Sequence, residues 1–213
     1  DIIEKNSKIL SIGCGNAHLE KKLIEDKDCV IDGVDFAKVT KVNFLNKFLA
    51  VDFDKETIPL NFDEYDYILL LDVIEHIKNP EKFLSALGEK MSNFPKQKLI
   101  ISTPNVSNVF IRTMLLFGNF NYGQRGILDK THTRLFTLSS FKKLIIDQNF
   151  EIEKIFSIPP PFPLVIKNKF FGNFLLNIFK FFNKIKRRLF AFQFLMIIKS
   201  KPNLEHLLKK SSL

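Results

Sequence analysis

The chain has 213 residues, 46% of them hydrophobic and 26% charged, which suits one globular domain with a buried core and excludes a disordered or fibrous chain. Its net charge of +9 is lopsided: residues 154–213 hold twelve Lys or Arg against one acid, Glu205, so 1–153 is close to neutral. Two cysteines, Cys14 and Cys29, make no disulfide framework and fit a reducing, cytoplasmic compartment; without a leader pattern or an apolar run of about 18 residues, no signal peptide or membrane span is expected.

The chain starts at Asp1 rather than Met, which reads as a trimmed terminus. Lys8-Ile9-Leu10-Ser11-Ile12 is an apolar run that reads as a buried strand over 8–12, broken at Gly13 and Gly15 before an amphipathic helix over 16–25. Glycines at such a strand-to-helix turn let the backbone approach a ligand. Asp35, which ends the next strand (29–35), stands twenty residues after Gly15, where an acid can bond ribose hydroxyls. The third glycine of the dinucleotide fingerprint is missing, with Ala17 nearby. That argues against a pyrophosphate ligand and for a smaller adenosyl one. Cys14 reads as a small residue filling the tight turn, since no basic partner is evident.

A short strand over 47–52, a strand over 65–71, a helix over 80–91, a strand over 97–102 and a helix over 106–117 follow. Asn79 and Pro80 supply the cap and first-turn residue of the 80–91 helix. Strands alternating with helices predict a parallel sheet covered on both faces. Residues 117–134 form a loop too long for a connector, hence a candidate functional segment. Thr137 is expected to cap a helix over 138–148 that turns Phe141, Leu144, Ile145 and Ile146 to the core.

Strands over 151–157 and Leu189–Ile198 close the pattern, with an amphipathic insertion over 158–188 between them. Pro159-Pro160-Pro161-Phe162-Pro163 reads as stiff, extended and non-helical. Beyond it Asn173, Asn177, Lys180, Lys184 and Arg187 form one polar helical stripe. Phe170, Phe171, Phe174, Leu175, Ile178, Phe181, Phe182 and Ile185 cover much of the remaining circumference. So wide an apolar face needs cover: an anionic membrane surface met through 170–188, the active site itself with the helix as its lid, or a second copy of the chain. Nucleic acid is disfavoured, because these aromatics form an apolar face and are not interleaved with the charges. No cluster of Cys, His and carboxylates has metal-ligand spacing, so no metal is expected.

Five segments carry a family resemblance: Ser11-Ile12-Gly13-Cys14-Gly15, Gly33-Val34-Asp35, Leu71 to Pro80 with its Asp-Val-Ile-Glu-His block, Ser102 to Asn105, and Gly126 to Thr137, with Phe190 to Phe194 closing the match. Over residues 8–198 the chain resembles a class I S-adenosylmethionine-dependent methyltransferase. More narrowly, it resembles the branch of methionine-biosynthesis-W-like and polysaccharide-associated methyltransferases. The resemblance implies an α/β fold: a Rossmann-like, doubly wound, seven-stranded and mostly parallel sheet with an antiparallel last strand, the Phe/Lys-rich helical insertion preceding it, all in one methyltransferase domain over 1–213. It implies S-adenosyl-L-methionine as cofactor, held by Gly13, Cys14 and Gly15, with Asp35 and Phe36 at the ribose, Asp52 and Phe53 beside adenine, and Asp72 and Val73 near the sulfonium. Asp54 is an alternative to Asp52. The chain departs from the family at Ser11, where an acid is usual, and at Ala17, where a glycine is usual.

Methyl transfer is an in-line displacement in which the protein aligns the reactants, and a hydroxyl acceptor also benefits from a base. His132, in the long loop, and His76, after the fourth strand, are the candidate catalytic residues, with Tyr122, Arg125, Asp129 and Arg134 as candidate acceptor contacts. The expected reaction is O-methylation of a sugar, glycan or glycolipid hydroxyl in the cytoplasm, peripheral to the inner membrane face. The alternatives are a methionine-biosynthesis-W-like protein, a quinone O-methyltransferase, and a non-catalytic cofactor-binding scaffold that Ser11 and Ala17 would favour.

Overall fold

The computed structural model describes residues 2–36, 42–56, 58–94 and 96–202. Its strands are β1 (Lys8–Ile12), β2 (Val30–Asp35), β3 (Lys47–Ala50), β4 (Tyr67–Leu71), β5 (Lys98–Pro104), β6 (Phe150–Ile158) and β7 (Gln193–Ser200). They form one sheet in the order β3-β2-β1-β4-β5-β7-β6, parallel except that β7 runs antiparallel to both its neighbours. The helices are α1 (His18–Lys27), α2 (Pro80–Met91), α3 (Val109–Leu116), α4 (Leu138–Asp147), α5 (Phe162–Val165), α6 (Lys169–Ile185) and α7 (Arg187–Phe190). The seven-stranded α/β architecture expected from the sequence is the one observed.

The central strands are apolar runs because both their faces are covered. Ile9, Leu10, Ile12, Ile68, Leu69 and Leu70 are all buried, and each such side chain contributes about 1.5–3 kcal/mol relative to exposure. Strand order reverses between β1 and β4. A crevice therefore opens at their carboxyl ends, the position where open α/β sheets bind ligands. Among the described residues no helix is long and apolar enough to cross a membrane.

Several boundaries differ from expectation for local reasons. Ala17 adopts a left-handed conformation (φ 51°), so α1 starts at His18 instead of position 16. Asn105 to Asn108 form a turn, with the Asn108 N–H donating to the Asn105 carbonyl at 3.1 Å, and Asn108 then caps α3 through Phe110 N–H, which delays that helix to Val109. The last strand starts at Gln193 rather than Leu189, because the N–H groups of Leu189 and Phe190 donate to the Lys186 carbonyl and wind 187–190 into α7. The proline run is not wholly extended either. Phe162 and Pro163 open α5, where a first-turn proline forgoes an N–H that would have no helical partner. Thr137 caps α4 in a reciprocal pair with Ser140, and Phe141, Leu144 and Ile145 are buried, but Ile146 points outward, 54% exposed.

The insertion between β6 and β7 packs through an unexpected face. The buried residues of α6 are Gly172 and Asn183, not its phenylalanines. A Cβ at Gly172 would lie 3.1 Å from Pro163 Cα, so glycine is what lets α5 and α6 touch. Asn183 Nδ2 donates to the Ser157 carbonyl of β6 at 3.0 Å. Phe179 completes this inner side, packed against Phe162, Phe190 and Phe110 of α3. Phe170, Phe174, Phe181 and Ile185 are left on the outside.

Replacing Phe141 with Ala should lower the unfolding free energy by about 3–5 kcal/mol, whereas Ile146→Ala should change it by no more than about 0.5 kcal/mol. Urea denaturation of the two variants measures the contrast.

Candidate active site

The crevice is floored by the turns that follow β1 and β4. Gly13 (φ 74°) and Gly15 (φ 53°) carry the chain out of β1, with Gly13 N–H donating to the Val34 carbonyl at 2.7 Å. These glycines differ in what surrounds them. A Cβ on Gly13 would lie 2.2 Å from Val73 Cγ2, so the β1 and β4 turns meet there in direct contact. A Cβ on Gly15 would meet nothing within 4 Å, so its backbone faces open space. The Gly15 N–H donates to Asp35 Oδ2 at 2.7 Å, which brings the expected carboxylate to the glycine elbow. Phe36 beside it is 69% exposed. Cys14 is buried, and burial followed by the charge of Asp35 pushes its thiol up to about 12. No thiolate forms near neutral pH, in keeping with a filler residue.

Ser11 stands where the resemblance expects an acid, and the structure places a carboxylate beside it. Buried Glu20 reaches in from the first turn of α1 and accepts a hydrogen bond from Ser11 Oγ at 2.6 Å. Sequence reasoning missed Glu20, because an acid in a first helical turn reads as a complement to the helix dipole.

At the end of β3, Asp52 accepts from the Asp54 N–H at 3.1 Å and pairs with Lys55 at 2.9 Å, which lowers its carboxyl below the usual range. Asp54 instead accepts from the Lys78 N–H at 3.0 Å, tying the β3 exit to the segment before α2. Phe53 packs edge-on against Phe83 of α2 and lines an apolar groove with Ile58, Phe62 and Leu87.

Asp72 leaves β4 in a left-handed conformation (φ 55°) that aspartate tolerates better than most residues. Its N–H donates to Ser102 Oγ at 3.0 Å, and Ser102 Oγ donates to Asp72 Oδ1 at 2.9 Å. Gln193, at the start of β7, donates to both Asp72 Oδ1 and Ser102 Oγ. The Asp72 side chain is thus oriented by three strands. Gln193 is a second residue the sequence did not single out for the site.

Glu75, His76 and His132 come together above this turn. The imidazoles of His76 and His132 meet edge-on with ring centres 4.8 Å apart. His76 Nδ1 lies 3.2 Å from the Thr131 carbonyl and His132 Nδ1 lies 3.0 Å from the Ile127 carbonyl. A carbonyl only accepts, so in both rings Nδ1 carries the hydrogen and Nε2 of the neutral ring carries the lone pair. Burial lowers the His132 imidazole from its ordinary value, which favours that neutral form. Glu75 is 1% exposed, and its carboxyl makes no hydrogen bond of ordinary length, the Thr103 hydroxyl acting on it only weakly. Burial, followed by the charge of Asp72, pushes its carboxyl up to about 8.

The 117–134 loop is packed, not merely solvated. Ile127 and Leu128 are buried against Ile111 of α3, and the Glu75 carbonyl accepts from Thr133 N–H at 2.9 Å and Arg134 N–H at 3.1 Å. Asp129 accepts from Thr131 N–H and Oγ1, shaping the turn that presents His132. Arg134 pairs with Glu81 of α2 at 2.5 Å, Tyr122 packs edge-on with Phe120, and Arg125 is exposed. Of the candidate acceptor contacts, Asp129 therefore shapes the histidine turn and Arg134 is engaged in docking the loop. Glu75, His76 and His132 each offer an atom that could bind an ion, and these lie within 4.8 Å of one another, a grouping that spacing along the sequence did not show.

Comparison with known proteins identifies the family and the fold. The chain belongs to the methyltransferase domain family, whose model matches residues 1–155. It is an S-adenosylmethionine-dependent methyltransferase of class I, and S-adenosylmethionine is its cofactor. A SAM-dependent methyltransferase from Archaeoglobus fulgidus is 17% identical, covers 91% of this chain and 86% of its own, and superposes with a TM-score of 0.59. An S-adenosylmethionine-dependent methyltransferase from Mesorhizobium loti is 12% identical over 92% of this chain and 91% of its own, with a TM-score of 0.59. The Burkholderia thailandensis 1,6-didemethyltoxoflavin-N1-methyltransferase, solved with bound 1,6-didemethyltoxoflavin and S-adenosylhomocysteine, is 12% identical over 92% of this chain and 72% of its own, with a TM-score of 0.57. At these identities the likeness is one of fold. No curated protein sequence matches the chain.

Gly13→Ala should disrupt the site more than Gly15→Ala. The second adds only left-handed strain of about 1–2 kcal/mol, while the first also drives a methyl group into Val73. Thermal unfolding and S-adenosylhomocysteine titration of both variants should rank them in that order.

Proposed function

We propose that this methyltransferase methylates a hydroxyl of a sugar, glycan or glycolipid in the cytoplasm, at the inner face of an anionic membrane, as a member of the polysaccharide-associated branch. The observation that carries the hydroxyl reading is the imidazole pair. An alcohol must lose its proton as the new bond forms, and His76 and His132 gather two basic Nε2 atoms beside the Asp72 turn.

The residues of the crevice fit the cofactor: open backbone at Gly15, a carboxylate 2.7 Å from its N–H at Asp35, and a second carboxylate, Glu20, beside Ser11. Asp35 holds the ribose hydroxyls and Gly13, Cys14 and Gly15 run along the chain that joins them to the amino acid. Glu20 takes the ammonium group in place of the acid missing at position 11. Asp52 stands by adenine, and Asp72 and Val73 line the reacting end. Bound there, S-adenosylmethionine supplies a methyl group on a sulfonium that departs as a neutral thioether. What the chain adds is alignment of the acceptor with that methyl carbon, exclusion of water by the packed 117–134 loop, and a destination for the acceptor proton.

The membrane component rests on the outer face of the insertion. Phe170 is 85% exposed, Leu164 86%, Val165 79% and Phe181 61%. Lys167, Lys169, Lys180, Lys184, Lys186, Arg187 and Arg188 surround them, with no acid between Glu153 and Glu205. Exposed aromatics within a purely basic field match the chemistry of an anionic bilayer interface. One observation favours a quinol as the alternative acceptor: the aromatic wall formed by Phe110, Phe162, Phe179 and Phe190 where the insertion meets α3.

Asp35→Ala and Glu20→Gln should each weaken S-adenosylhomocysteine binding about 10- to 100-fold, the loss of one charge-assisted interaction of about 1.5–3 kcal/mol, as read by calorimetry. Wild-type affinity in both would sink the cofactor placement. The protein should float with phosphatidylserine liposomes and fail to float once Phe170, Phe174 and Phe181 are changed to Ser. Sedimentation of the wild type with such liposomes present would remove the membrane component.

A further inference from the structure

We infer that the open part of the β6 edge is a docking site for a short, acidic, extended segment of a partner protein, which adds to the sheet as a further strand. β6 is an outermost strand, so one row of its peptide N–H and carbonyl groups faces away from β7. The Ser157 carbonyl marks that row, since Asn183 of α6 donates to it at 3.0 Å. Ile155, two residues earlier, turns its N–H and carbonyl to the same side. There the edge is open. Residues 150–155 line a groove of about 500 Å³, walled by Lys142 and Ile146 of α4, Arg187 of α7 and Lys201 beyond β7. Such a length of strand runs for about 20 Å, enough to pair with one short segment.

The chemistry of the walls selects the occupant. Lys142, Lys154, Arg187 and Lys201 are brought together from four parts of the chain, and among the described residues none of them makes an ion pair. Of the two acids in the lining, Glu153 pairs with Lys199, which leaves Glu151 alone against four cations. Cations converging on one concave strip attract an anion. Ile146 adds an apolar patch, 54% exposed and one turn along α4 from Lys142. Basic and apolar side chains beside free peptide groups match a strand that alternates acidic and apolar residues. In this mode main-chain bonds supply affinity and alternate side chains supply specificity.

The same charges oppose a second copy of the chain, because a twofold contact would set the four cations against their own images. The bulge between Ile152 and Lys154 acts in the same sense: it bends the edge, which admits a short strand and hinders the joining of whole sheets. β6 pairs with β7 as far as Gln193, so the docked segment joins the sheet whose next strand begins at the residue that orients Asp72.

The test is fluorescence anisotropy of a labelled eight-residue peptide of alternating Glu and Val, titrated with the full chain. Saturable binding is expected, weakened about 10-fold or more in K142E/K154E, while S-adenosylhomocysteine affinity stays unchanged and certifies the fold. The counterpart peptide with Pro in place of Val has equal charge but lacks every second N–H, and should bind more weakly by about 10-fold or more. Equal binding of the two peptides overturns strand addition. So does a wild type that binds neither, or a loss in K180E/K184E, on α6, as large as in K142E/K154E. Two further results reassign the groove and overturn the partner segment: a dimer in sedimentation velocity that K142E/K154E renders monomeric, or flotation with phosphatidylserine liposomes that K142E/K154E abolishes.

Discussion

The turn between β4 and α2 is the joint on which the site depends. Asp72 takes a left-handed conformation there, its N–H caught by Ser102 on β5, and three residues on the Glu75 carbonyl accepts from Thr133 N–H, Arg134 N–H and Thr133 Oγ1. This one carbonyl thus takes three of the hydrogen bonds that fasten the long loop to the β4 exit. The same turn points the Glu75 carboxylate inward, where it is desolvated. Backbone strain and a buried carboxyl coincide within four residues, Asp72 to Glu75, the kind of concentrated cost that folds retain at reacting centres.

From that joint the rest of the crevice follows by contact. Val73 touches Gly13 closely enough to require glycine, which fixes how near the β1 and β4 turns lie. Gln193 extends the tie to β7, so the orientation of Asp72 depends on three strands, one of them antiparallel. Ser11 and Glu20 complete a carboxylate-lined floor whose acid is delivered by a helix and not by the strand.

Legibility in the sequence tracked the range of each interaction. The β1 strand, the glycine elbow and the α2 start at Asn79 and Pro80 are encoded within a few residues, Asp35 stands at a fixed spacing of twenty from Gly15, and the fold followed from them. Ile146 was misplaced because Phe141, Leu144 and Ile145 already fill the core-facing arc of α4, and a fourth neighbour falls outside it. Leu189 and Phe190 are strand-like in composition, but the Lys186 carbonyl captures their N–H groups, a competition that composition cannot reveal. The meeting of His76 with His132 was hidden for a different reason. Metal-ligand spacing is a local pattern, and this pair is made by loop closure across the fold. Glu20 and Gln193 stayed hidden likewise, since each matters only through its partner on another element.

The anchoring of the insertion has a mechanical consequence. Asn105 donates to the Arg188 and Ala191 carbonyls, Asn108 donates to Ala191, and Ser107 Oγ donates to Arg188. These four bonds join α7 and Ala191, which follow the aromatic helix, to the segment that leaves β5. The outer phenylalanines are therefore carried on an insertion that is hydrogen-bonded to the sheet's exit loops and not on a loose tether.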